Sequence, residues 1–220
     1  QLGLEVPIAC GAQGPSDREL VTGHSLVLQN GDPTEHWILD QEGIGEPYVR
    51  PAWDFIAEVA AQGPVTLLAT APLTNIARFL DEYPELAGQI TRIINMGGWY
   101  LAENRGPEFN IMVDPVSACR VYQSGIPIVI APLEMTLRAL MLPGEIEPWK
   151  DKGRAGEVFY NGTRDWIEKL AQNRDLNGCH LHDPLAVGYY LWPELFQTRG
   201  IVPSIDRRSG FTEIIGLDED

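Results

Sequence analysis

Val65-Thr66-Leu67-Leu68-Ala69 is a continuous apolar run, the pattern of a strand in a sheet covered on both faces. Thr91 to Met96, closed by Gly97-Gly98, and Pro127 to Ala131 repeat it. Helical spacing fills the intervals. Pro51 to Gln62 carries Phe55, Ile56 and Val59 on one face and Pro51 at its start. Pro72 to Leu80 places Leu73, Ile76, Ala77 and Leu80 together. Pro115 to Gln123 ends at Ser124-Gly125, and Pro184 to Leu191 forms another helix. Glu157 to Gln172 is predicted helical around Phe159, Trp166, Ile167 and Leu170, with a break allowed at Asn161-Gly162. Ile201-Val202 and Phe211 to Ile215 read as a closing hairpin, and Leu4 to Ala9 as a strand running into Cys10-Gly11.

Strands alternating with helices predict an α/β fold, doubly wound, with a mainly parallel sheet and helices on both faces. One domain spanning residues 1–220 accommodates the pattern. The stretch 11–50 breaks it with turn residues, Gly14-Pro15, Asn30-Gly31-Asp32-Pro33 and Glu42-Gly43. So long an irregular excursion suits a flap or active-site loop, or a segment whose packing partners lie elsewhere. Ligands of such sheets bind beyond the carboxyl ends of the strands. Chemistry is therefore expected after Ala69, Met96 and Ala131, and just before Pro184.

Charge narrows the partners. Sixteen basic against 31 acidic residues give a formal net charge of −15. Nucleic acid needs a basic surface, and anionic membranes repel such a chain. No apolar run is long enough to span a bilayer. Cys10, Cys119 and Cys179 are odd in number and far apart, so reduced thiols are expected rather than a disulfide scaffold. The chain starts at Gln1 rather than Met and no secretory segment follows. This points to cleavage, truncation or an incomplete reading frame, and to a cytoplasmic rather than secreted location.

Several loops at strand ends carry chemistry. Thr70-Ala71-Pro72-Leu73-Thr74-Asn75 can be a plain strand-to-helix turn, yet its carbonyls lie where a hard cation such as calcium would find oxygen ligands. Asn95-Met96-Gly97-Gly98-Trp99 allows close backbone approach to a ligand but lacks the spacing of a triphosphate loop. Asn104 and Glu108-Phe109-Asn110 gather two amides, a carboxylate and a ring, a set that matches paired sugar hydroxyls. Asp114-Pro115 and Asp183-Pro184 both fit helix starts. In His180-Leu181-His182-Asp183 the histidines add possible ligands or acid–base groups.

Taken in order, Thr70 to Ala77, Met96-Gly97-Gly98, Asn104, Glu108-Phe109-Asn110, Asp114-Pro115 and His182-Asp183-Pro184 resemble the inosine–uridine nucleoside hydrolases, from about Pro7 to about Gly216. The resemblance implies hydrolysis of the N-glycosidic bond of ribonucleosides to ribose and free base, with a small nucleoside as partner. It implies a calcium ion bound by the Thr70 carbonyl and Asp183. Met96, Asn104, Glu108, Phe109 and Asn110 would form the ribose pocket, and His182 would assist departure of the base. Family members are usually dimers or tetramers, so a homodimer or homotetramer is expected.

The sequence also departs from that pattern. The family's N-terminal Asp-x-Asp and following Asp-Asp have no counterpart, since Asp17, Asp32 and Asp40 are isolated. A family histidine falls near Leu39, with His36 close by. The chain thus reads as truncated at both ends, its calcium site incomplete. The 220 residues alone are expected to bind calcium weakly and turn over little, whereas the complete parent enzyme should be active. Two other readings stay open: a zinc pair at His180-x-His182, and a degenerate relative that binds ribosides without cleaving them.

Overall fold

The computed structural model describes residues 6–16 and 48–218. Leu4, most of the flap expected over 11–50, and the isolated Asp17, Asp32 and Asp40 lie outside the described residues.

Three parallel strands form the sheet that organises the site. They are β1 (Val65–Ala69), β2 (Ile90–Met96) and β3 (Ile128–Ala131), in the order β1-β2-β3. Leu67 lies opposite Ile93 and Leu68 opposite Ile94, while Met96 pairs with Ala131. The expected strands thus form within a residue of their limits.

Side chains alternate across a strand, and β2 uses both of its faces. On one face, Ile93 joins a core built from helices α1 (Ala52–Ala60), α2 (Thr74–Glu82) and α4 (Pro115–Tyr122). Leu73, Ile76, Ala77 and Leu80 are buried there, as their spacing predicted, along with Phe79. Burying a side chain of this size is worth about 1.5–3 kcal/mol. On the other face, Ile94 and Met96 pack against Ala186 of helix α8 (His182–Leu191), with Leu133 and Tyr189 alongside.

That second face is less completely covered than the apolar run at 65–69 suggests. Among the described residues α8 packs on β2 and β3, and Leu68 stays 41% exposed on edge strand β1. Val59 also points outward from α1, where Ala57 and Ala60 are the buried residues instead.

Between β2 and α4 lies helix α3 (Phe109–Val113), a short turn where only a loop was expected. After β3 come α5 (Leu133–Thr136), β4 (Leu140–Met141), α6 (Pro143–Ile146) and α7 (Gly153–Arg174). Helix α7 runs unbroken through Asn161-Gly162. Burial of Tyr160, Ile167 and Leu170 on one side outweighs the roughly 1 kcal/mol helix penalty of glycine. Strand β5 (Cys179–His180) pairs antiparallel with β4 and delivers the chain to α8. Strands β6 (Val202–Ile205) and β7 (Thr212–Gly216) form the expected hairpin. The stretch before Cys10 forms no strand among residues 6–9, only an isolated bridge from Ala9 to Tyr48. No helix of the described residues is long and apolar enough to cross a membrane.

Candidate active site

The carboxyl ends of β1 and β2 are tied together by one buried amide. Asn95, the polar residue in an otherwise apolar strand end, is 0% exposed. Its Nδ2 donates to the Ala69 carbonyl at 3.0 Å and to the Met96 carbonyl at 3.1 Å, and its Oδ1 accepts from the Tyr122 hydroxyl at 2.9 Å. Thr70 follows Ala69 directly, so this network fixes the backbone from which Thr70 departs.

Met96 is the first predicted site residue it positions. The Met96 carbonyl also accepts from Asn110 Nδ2 at 3.1 Å, and the Met96 sulfur lies 3.4 Å from the same nitrogen. Asn110 belongs to the first turn of α3, whose N-cap is Glu108. Glu108 is 4% exposed. Its Oε1 accepts from Asn110 N at 2.9 Å, and its Oε2 accepts from Gly98 N and Ile111 N, both at 3.2 Å. A carboxylate with a short helix on one side and the Gly97-Gly98 turn on the other locks the two together. Desolvation pushes the Glu108 carboxyl above its ordinary pKa, backbone donation from Asn110, Ile111 and Gly98 pulls it back, and the charge of Asp183 adds to the rise.

Met96, Glu108 and Asn110 therefore form one hydrogen-bonded unit. Phe109 stands beside them, 46% exposed. Asn104 lies in the preceding loop, exposed and in the left-handed conformation (φ 54°), and no hydrogen bond joins it to the unit among the described residues. That loop is gripped from behind. Trp99 N donates to Thr212 Oγ1 and Thr212 Oγ1 donates back to the Trp99 carbonyl, both at 2.9 Å. Arg105 bonds the Trp99 and Thr212 carbonyls and stacks over Phe211. Glu134 of α5 accepts from Tyr100 N and Leu101 N. Tyr100 is buried, its ring against Gly98, which makes it a packing residue.

The opposite wall comes from the start of α8. Histidine 182 opens the helix, and its Nδ1 lies 2.7 Å from Thr136 Oγ1 in α5. Desolvation, then the neighbouring His180, pushes the His182 ring below its ordinary pKa. Asp183 sits inside the first turn of α8 instead of capping it. This contrasts with Asp114, which caps α4 through Ser117 N and also accepts from Ser16 and Thr74. The Asp114 carboxylate is thus spent on structure, as its Asp-Pro context predicted. Asp183 is open to solvent, yet the surrounding walls desolvate its carboxyl and raise its pKa. A carboxylate held this way gains from a nearby cation.

The residues that sequence reasoning did not single out are Asn95, Thr136, Glu134, Arg105 and Thr212. A polar residue inside an apolar strand was the available sign for Asn95. The others act through contacts between distant segments, which spacing does not encode.

The donor set was tested against the metal that the resemblance implies. Calcium takes six to eight oxygens. Among the described residues no three His, Cys, Asp or Glu side chains converge. The Thr70 carbonyl and Asp183 by themselves fall short of a calcium shell. The His180 and His182 rings lie 5.7 Å apart, centroid to centroid, and among the described residues no third ligand joins them to make a zinc site.

Comparison with known proteins places this geometry. The family model described as inosine-uridine preferring nucleoside hydrolase matches residues 1–213. The chain is 37% identical over 206 residues to the pyrimidine-specific ribonucleoside hydrolase RihA of Klebsiella pneumoniae (strain 342), covering 88% of this chain and 63% of that protein. It is 33% identical over 219 residues to RihA of Enterobacter sp. (strain 638), covering 95% of this chain and 68% of that one. The chain thus spans roughly two thirds of the length of these relatives. Among solved structures, the purine-preferring ribonucleoside hydrolase of Gardnerella vaginalis superposes with a TM-score of 0.69 at 29% identity, over 79% of this chain and 63% of that one. A plant nucleoside hydrolase shares the fold, with a TM-score of 0.76 at 22% identity over 95% of this chain and 68% of that one. With the family model matched over residues 1–213 and relatives 33–37% identical over most of the chain, the chain belongs to the inosine-uridine preferring nucleoside hydrolase family.

Proposed function

We propose that the protein hydrolyses the N-glycosidic bond of ribonucleosides, releasing ribose and a free base. The observation that carries this reading is the buried Glu108–Asn110–Met96 unit at the strand ends, in a chain of this family. The bond breaks through an oxocarbenium-like transition state, positive on the sugar. Carboxylate charge from Glu108 and Asp183, and the amide dipoles of Asn104 and Asn110, stabilise that charge more than they stabilise the neutral substrate. The raised pKa of both carboxyls reflects a partly dry, negative site, the environment in which such stabilisation is strong. Met96 and Phe109 shape the sugar pocket. Residue His182, when protonated, passes a proton to the departing base.

Calcium is the ion proposed for the whole protein, with the Thr70 carbonyl and Asp183 as the donors contributed here. Because those two donors do not complete a shell, the roles above rest on the side chains alone. The family assignment favours cleavage over a binding-only relative. Uridine and cytidine are the first substrates to try, since relatives 33–37% identical are named pyrimidine-specific.

The test is release of free ribose from uridine, cytidine and inosine by the complete encoded protein, with and without a chelator. Metal-dependent turnover that Asp183→Ala abolishes is the expected result. Unchanged turnover in that variant would remove Asp183 from the site, and no ribose from any nucleoside would defeat the reading.

A further inference from the structure

Residue Thr136 is 0% exposed and nothing in the proposed chemistry uses it. Its hydroxyl stands between two partners. It lies 3.2 Å from the Leu133 carbonyl and 2.7 Å from His182 Nδ1. A hydroxyl carries one proton. A carbonyl only accepts, so a proton directed at Leu133 is not available to His182. The contact with His182 then runs the other way: Nδ1 carries a hydrogen and donates it to Thr136 Oγ1. Which ring nitrogen holds the proton is set by the hydrogen bond the other makes.

We propose that Thr136 is a positioning residue for His182, holding its neutral ring in the Nδ1–H tautomer and leaving Nε2 as the nitrogen that exchanges a proton with the ligand. The geometry fits on both sides. Among the described residues no hydrogen bond reaches Nε2, and the His182 side chain is only half-buried. The hydroxyl is fixed in turn. Residue Thr136 closes the short helix α5, whose Leu133 N donates to the Gly98 carbonyl at 2.8 Å and whose Glu134 binds Tyr100 N and Leu101 N. Thus α5 braces the glycine turn under Glu108 and orients the histidine opposite it. His180 packs against the same ring, but among the described residues its buried Nδ1 has no hydrogen-bond partner and does not compete for Thr136.

This inference rests on His182 being the proton-handling group proposed above, and the experiment separates the two. The complete protein is labelled with ¹⁵N-histidine, and long-range ¹H–¹⁵N spectra are recorded at about pH 8, where a histidine of ordinary or lowered pKa is neutral. A His182→Gln variant identifies the signal. The wild type and Thr136→Ser should show Nδ1–H at His182, and Thr136→Val should move the proton to Nε2. A wild type dominated by Nε2–H overturns the proposal. So does a folded Thr136→Val that keeps Nδ1–H. In turnover, Thr136→Val should lower kcat about tenfold, the equivalent of one lost hydrogen bond, with KM held within about twofold; Thr136→Ser should restore kcat. A Thr136→Val enzyme with normal kcat overturns the positioning role. If instead His182→Gln leaves turnover unchanged while the tautomer follows residue 136, the catalytic reading of His182 fails and the tautomer assignment stands.

Discussion

Replacing Asn95 by leucine, a side chain of similar size, tests the joint between the two strand ends most directly. The substitution removes two donated bonds, to the Ala69 and Met96 carbonyls, and the bond accepted from the Tyr122 hydroxyl. At about 0.5–1.5 kcal/mol net for each bond the loss is roughly 1.5–4.5 kcal/mol. Burying leucine in place of a fully buried amide returns part of it, and a net loss of about 2–3 kcal/mol is expected. For a chain of this length that lowers Tm by roughly 4–12 °C. The assay is reversible urea unfolding followed by tryptophan fluorescence. Adding Tyr122→Phe closes a double-mutant cycle. Because the two residues share one hydrogen bond, the double variant should fall short of the summed losses by about 0.5 kcal/mol or more. A loss below about 0.5 kcal/mol for Asn95→Leu, or strict additivity in the cycle, would refute the reasoning.

Gly98→Ala should cost about 2–5 kcal/mol, combining a left-handed backbone (φ 81°) with a methyl group placed 2.5 Å from the Tyr100 ring; thermal unfolding measures it, and a wild-type Tm would contradict the packing described. Asp206 supplies a pH dependence. Ser209, through its backbone N–H and hydroxyl, holds the Asp206 carboxyl below its usual range, with Arg208 N adding to the effect. Its folded pKa lies under the unfolded value of about 3.9, so its stabilisation is complete above that value and disappears as pH falls through the folded one. Asp206→Asn should therefore cost up to about 1 kcal/mol at neutral pH, since the group is solvent-screened, and progressively less as the pH falls through the folded pKa; a gap that does not shrink on acidification would rule this out.

The sheet was legible because its strands are apolar runs and its helices keep a 3.6-residue stripe. Glu108 and Asn110 were legible as a polar cluster in one loop at a strand end, whereas Met96 entered only through the family resemblance. Helix α3 escaped notice because its five residues are too few for a periodic signal, and Glu108 holds it by capping. Helix α7 continued through Asn161-Gly162 because tertiary burial overrode local propensity. The pairing of His182 with Thr136 spans 46 residues, and local patterns carry no record of such contacts. Asp114 and Asp183 share an Asp-Pro context, yet one is buried under four donors and the other lies exposed in its helix turn. The neighbouring histidines hinted at that difference, and packing produces it.

The grip of the C-terminal hairpin on the Trp99–Arg105 loop has a consequence in time. Trp99 and Thr212 are 113 residues apart. At about 5–20 residues per second, a ribosome makes Thr212 roughly 6–23 s after Trp99. Until then the backbone N–H of Trp99 lacks its partner, and the guanidinium of Arg105 keeps the Trp99 carbonyl but lacks the Thr212 carbonyl and the Phe211 ring. The sheet and its α1–α2–α4 core can assemble from earlier sequence, but the loop bearing Asn104 waits for the hairpin. During synthesis the sheet and its core therefore precede the fixed shape of the Trp99–Arg105 loop, which follows the β6–β7 hairpin.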